Sequence, residues 1–405
     1  MGRINKRALV GRLQRTGHAS RADLAKSLGL SQPTAGKIAD ELIRLGVLEE
    51  IEEEPAAARG GHAENHGRVG RPGRILRLCR KEPRFLAVQL GVGETNLSAV
   101  PVGVDPEDRW EQQFRTPASA GAWVQQLRVA AANLPNKDYW GVMVSVPGIV
   151  DEPEGKVLFS PNLHWTEAVS LPSLIQQVWP AQVALVQEER ALALGHQSVD
   201  PKEEDFLLVD FGDGVGGAAI VAGKLYTSAL PLTTELGHTP VTGNRRKCGC
   251  GAVGCIETLV SARGLLQSFA AAHRKTDPTW ESLAETIASK GIPAWLAETL
   301  EETAVVIAGS LNVLGLRRAI ITGVLTDLPP AVMQHLSNAI IKGAMWARFG
   351  EVEIESAPRR RTAGLVAVGI DRIVLPMEQG QTRTMEAPSA SESPRAFRGW
   401  LSYHE

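Results

Sequence analysis

The chain has 405 residues, 43% hydrophobic and 22% charged, enough for two or three domains with proper cores. No apolar run approaches the roughly 18 to 20 residues of a membrane span, and no signal-peptide hydrophobic stretch follows the basic start MGRINKRALVG, so the sequence points to a cytoplasmic protein with reduced thiols. The net charge of -2 conceals a basic head: residues 1–84 carry 17 Lys and Arg against 10 Asp and Glu, and the other 321 residues carry 26 against 35, which suggests a nucleic-acid partner for the head alone.

In chain order, a first helix is expected around Ala8 to Arg15. Ser20, with Asp23 three residues on, starts a second, whose inward face is Leu24, Ala25 and Leu28 and which Gly29 ends. Ser31 caps a third, with Pro33 tolerated in its first turn. Ile38, Leu42, Ile43 and Leu45 then point inward, leaving Gln32, Thr34, Ala35 and Lys37 on the solvent side. Short polar side chains and one lysine at a helix start suit close approach to base edges and phosphates in a major groove. The candidate DNA contacts are Arg21, Ser31, Gln32, Thr34 and Lys37. The acidic run EEIEEE and the Gly, Pro and Arg-rich stretch up to Arg74 read as a flexible segment. Within it, Arg68 and Arg71 of GRVGRPGR belong either to a DNA-contacting wing or to a soluble linker.

From Phe85 apolar strands with glycine turns take over. FLAVQLGVG (85–93) and FLLVDFGDG (206–214) echo each other at an offset of 121 residues, and each is followed by a second apolar run, as in a hairpin. Two such modules imply two similar α/β lobes flanking a cleft. A turn-rich stretch, VMVSVPGIVDEPEGKVLFSPNLHW, and a strand running into a helix, VALVQEERALALGHQ, lie between them. After Ser261 the pattern is helical from Ala262 to Leu311, followed by the strand RAIITG and helices at Ala331 to Arg348 and Ala363 to Ile370. Residues 377–405 are poor in core-formers and read as disordered.

The stretch ELGHTPVTGNRRKCGCGAVGCIETLVS spells His-x9-Cys-x-Cys-x4-Cys. Three thiolates and one imidazole complete a tetrahedral shell with no open position, so His238, Cys248, Cys250 and Cys255 are the expected ligands of one structural zinc ion. Cys79 stands apart and receives no role.

This stretch closely resembles the signature of the ROK family of repressors, open reading frames and sugar kinases. The Pro-Gly-x-Val-Asp and Pro-Asn-Leu-x-Trp segments near residue 150, GDGVGGAAIVAGKLY and SLNVLGLRRAIITGVL extend the likeness over residues 85 to 375, and the head is similar to the repressor branch. The resemblance implies an α/β fold: an N-terminal winged helix-turn-helix over residues 1–84, then two actin-like, ribonuclease-H-like lobes at 85–200 and 201–376, the second carrying the zinc loop. It also implies sugar contacts at Asn162, Gln187, Glu188, Glu235, His238 and Glu257, since carboxylates, amides and imidazole can hold adjacent hydroxyls.

The departures from the kinase pattern concern phosphate and proton chemistry. Val186-Gln187-Glu188 stands for Glu-Asn-Asp, so a longer carboxylate occupies the base position. Gln89-Leu90-Gly91-Val92-Gly93 stands for Asp-x-Gly-Gly-Thr. Asp213 replaces a threonine, and the adenosine-side glycine cluster is reduced to Thr322-Gly323-Val324. A misplacement of about 1 Å can cost on the order of a hundredfold in rate. The expectation is therefore no catalytic residue, with Glu188 a degenerate base, in a sugar-responsive regulator that binds a palindromic double-stranded operator as a homodimer or homotetramer. A kinase with a DNA-binding head, and a regulator whose vestigial cleft is governed by a protein partner, are the rival expectations. Sequence alone does not decide repressor from activator.

Overall fold

A computed structural model of the chain describes residues 2–52 and 74–376, apart from 106, 136, 137, 201, 203, 229, 275 and 276. Arg68, Arg71 and the tail expected at 377–405 lie outside the described residues. Among the described residues no helix is long and apolar enough to cross a membrane.

The head contains α1 (Gly2–Thr16), β1 (His18–Ser20), α2 (Arg21–Ser27), α3 (Gln32–Arg44), β2 (Leu48–Ile51) and β3 (Ile75–Leu78). The first helix begins six residues before the expected Ala8. Both expected N-caps form: the side chain of Ser20 accepts from the Asp23 N–H, and that of Ser31 from the Thr34 N–H. Ala35 is a correction, because it is buried and not solvent-facing. It opens the stripe Ala35, Ile38, Ala39 and Leu42, whose 3, 4 and 7-residue spacing is one helical face. The acidic run is a second correction. Its first residues enter β2, which pairs antiparallel with β3, because the two glutamates there find cations: Glu49 meets Arg77 at 2.9 Å and Lys81 at 3.1 Å, and Glu50 meets Arg21 at 2.9 Å and Arg74 at 2.7 Å. With β1 they form a three-stranded sheet in the order β1-β3-β2.

The next strands are β4 (Phe85–Leu90), β5 (Glu94–Val100), β6 (Gln112–Arg115), β7 (Gly141–Val146), β8 (Ile149–Asp151), β9 (Lys156–Phe159) and β10 (Gln182–Gln187). Helix α4 (Ala120–Ala132) lies between β6 and β7, α5 (Leu171–Gln176) precedes β10, and α6 (Glu188–Val199) follows it. After α6 come β11 (Phe206–Phe211), β12 (Val215–Val221), β13 (Lys224–Leu225), α7 (Glu257–Val260), α8 (Ala262–His273), α9 (Trp280–Lys290), α10 (Ala294–Leu314), β14 (Arg318–Gly323), α11 (Pro330–Gly343), β15 (Glu353–Ser356) and α12 (Arg361–Gly369). The helix expected to run to Arg348 breaks at Gly343, and β15 is an addition to the expected elements. Two five-stranded sheets result, β10-β7-β4-β5-β6 and β13-β12-β11-β14-β15. In each the hairpin and the strand beside its second arm are antiparallel, and the two strands on the other side join in parallel, so the 121-residue echo extends to the whole sheet.

Each sheet is covered on both faces, and α6 serves both sheets. Ala191 joins the core that holds Phe85, Ala87 and Met143 of the first sheet, while Leu192 and Ala193 join Phe206, Leu208 and Ile320 of the second. Helix α12 falls within the segment expected to form the second lobe, but it packs on α6, β4 and β7 of the first sheet. Its approach to α6 is close enough to require glycine on both sides: a Cβ at Gly364 would lie 1.8 Å from the Ala191 carbonyl, and one at Gly195 2.0 Å from that of Arg360. The head joins the same core through Leu9, Val10 and Leu13 of α1, and Arg7 forms an ion pair with Asp371 just beyond α12.

Candidate functional site

A cleft of about 450 Å³ lies between the two hairpins, and all six expected sugar contacts line it. Gln187 ends β10 and Glu188 begins α6, so a parallel strand delivers both side chains to the carboxyl edge of the first sheet, the usual ligand edge of an α/β sheet. Gln187 donates from Nε2 to Glu235 Oε1 at 3.0 Å, which joins the first lobe's contact residue to the second's. Burial raises the Glu235 carboxyl above its ordinary range, with the Gln187 bond opposing the shift. Glu257 Oε2 accepts from the Val215 N–H at 3.0 Å, at the start of β12, and its Oε1 lies 3.4 Å from Cys248 Sγ. Asn162 is exposed at the mouth.

The other end of the cleft is filled by residues that the motif reading missed. Arg359 donates from Nε and one terminal nitrogen to the two oxygens of Asp210, at 2.7 and 2.9 Å, and to the Phe211 carbonyl at 3.0 Å. Its guanidinium nitrogen lies 2.8 Å from where a Cβ on Gly212 would stand, and 2.7 Å from one on Gly323. The second glycine turn and the strand-end glycine of β14 are thus both occupied by the chain's own cation. Thr322 donates to the same Asp210 at 2.7 Å. Arg361 pairs with Glu188, which also accepts from Gln89 Nε2 at 3.2 Å, and Asn96 in turn holds Gln89 at 2.9 Å. One signal was available in the sequence: arginines 359 to 361 stand at the start of a helix, where the macrodipole disfavours cations unless carboxylates compensate. Asp108 supplies a further carboxylate, accepting from both the N–H and the hydroxyl of Thr362 at 2.9 Å.

His238, Cys248, Cys250 and Cys255 come together, with their ligand atoms all within 4.8 Å of one another. Cys248 Sγ is 3.6 Å from His238 Nδ1 and Cys250 Sγ 3.7 Å from Cys255 Sγ, near the roughly 3.8 Å edge of a tetrahedron with Zn–S bonds of about 2.3 Å. Burial pushes the Cys248 and Cys255 thiols up, so a thiolate set at neutral pH calls for a cation. The set fits a closed, structural zinc site. With Nδ1 turned to the cysteines, His238 keeps Nε2 for the cleft that it lines.

Of the expected DNA contacts, Ser31, Gln32, Thr34 and Lys37 are exposed at the start of α3. Arg21 is a different case: Asp40 at 2.7 Å and Glu50 at 2.9 Å hold its guanidinium, so it braces α2 against α3 and β2.

Residues 87–368 match the ROK family. The chain belongs to the ROK family. Among ROK relatives, the xylose repressor of Caldicellulosiruptor bescii is 24% identical over 382 residues, covering 87% of this chain and 91% of that protein. The crystal structure of a ROK family transcriptional regulator, described as a homolog of the E. coli MLC protein, superposes with a TM-score of 0.69 at 20% identity, over 92% of this chain and 98% of that one. A ROK family glucokinase from Streptomyces griseus, in complex with glucose and AMPPNP, gives 0.56 at 22% identity, over 70% and 97%. The fold is therefore the ROK α/β fold with two mixed sheets.

Proposed function

We propose that this chain is a sugar-responsive transcriptional repressor of carbohydrate-utilisation genes, acting in the cytoplasm, and that its cleft binds a sugar without phosphorylating it. The observation that carries the reading is the contrast within one cleft. The end lined by Gln187, Glu235, His238 and Glu257 is open, whereas Arg359 fills the glycine turns at the other end. A transferring phosphoryl group needs glycine-lined backbone and positioned charge, and Arg359, tied to Asp210, occupying that backbone space supports the reading. Glu188 has one oxygen engaged by Arg361 and Gln89, and in this reading it accepts from a sugar hydroxyl without removing its proton. Sugar hydroxyls are served by Gln187, Glu188, Glu235, His238, Glu257 and Asn162. Since a relative over most of the chain is named a xylose repressor, a pentose is the first candidate.

The head, residues 1–84, is the DNA-binding unit of this reading. It is a winged helix-turn-helix in which α3 enters the major groove with Gln32, Thr34 and Lys37, and the β2–β3 pair belongs to the wing. Residues 85–200 and 201–376 form the lobes, with α12 exchanged onto the first. Zinc, bound by His238 and the three cysteines, holds the loop that orients His238 and Glu257. A homodimer on a palindromic operator is expected.

The test combines a thermal-shift screen of pentoses, hexoses and their phosphates with release of the promoter fragment nearest the gene. Unphosphorylated sugar should bind, release the fragment and consume no ATP. ATP-dependent sugar phosphorylation that is lost in Glu188→Gln would reverse the reading in favour of a kinase.

A further inference from the structure

A second cavity, of about 550 Å³, shares no lining residue with the cleft that holds Gln187 and Glu235. Its walls come from both lobes. The first lobe supplies Glu152 from the turn after β8, Gln182 at the start of β10, Arg190 of α6 and Arg372 beyond α12, and the second supplies Thr227 after β13. Its size is that of a small-molecule site.

The polar groups of this cavity are unevenly matched. Arg190 is only 7% exposed, yet of its nitrogens Nη1 alone makes a hydrogen bond, to Glu152 Oε1 at 2.9 Å. Its Nε is shielded without a partner, and its Nη2 bonds nothing among the described residues. Arg372 gives one terminal nitrogen to the Leu185 carbonyl at 2.7 Å and the other to Glu152 Oε2. Two guanidinium groups thus share one carboxylate, and together they offer more donors than it can absorb. Asp151, the other acid on the wall, serves its own turn, where its Oδ1 accepts from the Glu154 N–H at 3.2 Å. A buried cation with unused donors is costly unless acceptors reach it. No further carboxylate lines the cavity, so the missing acceptors are left to an occupant.

We propose that this cavity binds a small oxyanion, a phosphate monoester or a carboxylate, and that its occupant lowers the affinity of the cleft for sugar. Arg190 and Arg372 hold the anionic oxygens by charge-assisted bonds. Thr227 meets the body of the molecule from the other lobe, and the apolar wall of Val150, Val183 and Ile373 takes its carbon skeleton. Glu152 is the link to the sugar. The Oε1 that accepts from Arg190 also accepts from the Gln187 N–H at 3.2 Å, while the Gln187 side chain donates to Glu235 at 3.0 Å within the cleft. An anion that draws Arg190 off Glu152 removes one of the bonds that set this carboxylate, and so disturbs the placing of Gln187. Linkage makes the effect mutual, with sugar weakening the anion by the same factor. The coupling rests on the sugar-binding reading above; the anion site does not.

The test is calorimetry of the full chain at constant ionic strength with inorganic phosphate, glycerol 3-phosphate and succinate, with chloride as the control. At least one of the three should bind at one site per chain with a Kd of about 1 mM or below, and chloride should not. Binding of the two phosphates identifies a phosphoryl group, and binding of succinate alone a carboxylate. Arg372→Gln should weaken the anion by about tenfold or more. Because Arg372 also braces the Leu185 carbonyl, a second pair of variants leaves the ion pairs intact. Gln182 is exposed on the wall, so Gln182→Glu should weaken the anion and Gln182→Lys strengthen it, each by about threefold, at an unchanged melting midpoint. Xylose affinity should fall by about threefold or more at saturating anion. No binding of any probe at about 10 mM, or equal affinities in wild type, Arg372→Gln and Gln182→Glu, would overturn the site, and anion binding with unaltered xylose affinity would overturn the coupling. If the anion binds as expected while no pentose or hexose does, the site stands and the sugar reading falls.

Discussion

Glu188 and Glu189 are sequence neighbours with different surroundings. Glu188 is held by Arg361 and Gln89. The Glu189 side chain turns against β12, its Oε1 2.5 Å from where a Cβ on Gly216 would stand, and no partner reaches its shielded Oε2. Burial, with the charges of Glu188, Asp210 and Glu235 added, pushes it up to about 8. A carboxyl whose folded pKa lies above its unfolded value of about 4.5 takes up a proton on folding. Its stabilisation is complete below that value and is lost as pH rises through about 8. The melting midpoint should therefore fall between about pH 4.5 and about pH 8, and Glu189→Gln should flatten that fall; calorimetry showing equal pH slopes for the two proteins would refute this. At this scale the sequence announced one half of the cleft. Glu235, His238 and Glu257 flank one local cysteine motif, so their spacing could be read directly. The bond partners of Arg359 and Arg361 lie 149 and 173 positions away, and no local pattern records such a pairing.

Helix α6 ties the cleft to the head. Its 12 residues span about 18 Å. Gln187 and Glu188 stand at one end, and at the other Ser198 and Val199 line a small cavity with Leu13 of α1 and Ala363 of α12. On the proposed reading, a sugar that favours one setting of Glu188 against Arg361 would shift α6 and α12 together, because their backbones touch through Gly195 and Gly364. Only this difference in affinity between the two settings can move the head. Leu13→Ala should cost about 2–5 kcal/mol of head stability. It should also leave sugar affinity within about twofold while cutting the sugar-induced change in operator affinity by about tenfold. Paired titrations of sugar and operator check this, and undiminished release would sink the route through α1. The elements themselves were unevenly legible. Caps and glycine turns fixed α2, α3 and both hairpins, because those signals are local. Ala35 was misplaced because its burial depends on α2 packing against α3, and β15 was missed because four residues, three of them only partly buried, carry little period of their own.

Taken whole, the described molecule is two copies of one sheet plan joined by α6, with the zinc loop in the second lobe and the helical head packed into the core of the first sheet. Cys250→Ser, or chelation, should release about one zinc per chain and lower the melting midpoint by on the order of 10 °C. Sugar affinity should fall with it, since Glu257 and His238 lean on the same loop; metal analysis and calorimetry on one preparation check both, and a metal-free protein with unchanged melting would end the structural role. The two-lobe plan was legible from the 121-residue echo, but the return of α12 was not, since a short apolar helix states no partner. That return governs how the protein is made. While the ribosome is still translating the second lobe, the head and β4 to β10 are already outside, yet Phe85, Met143 and Leu13 lack the helix that closes their core. A nascent chain thus has α3 before it has a settled base to hold it, and α12, late in the described residues, completes the first module. Premature termination near residue 360 should yield an unstable fragment for proteases, not a constitutive repressor that ignores sugar.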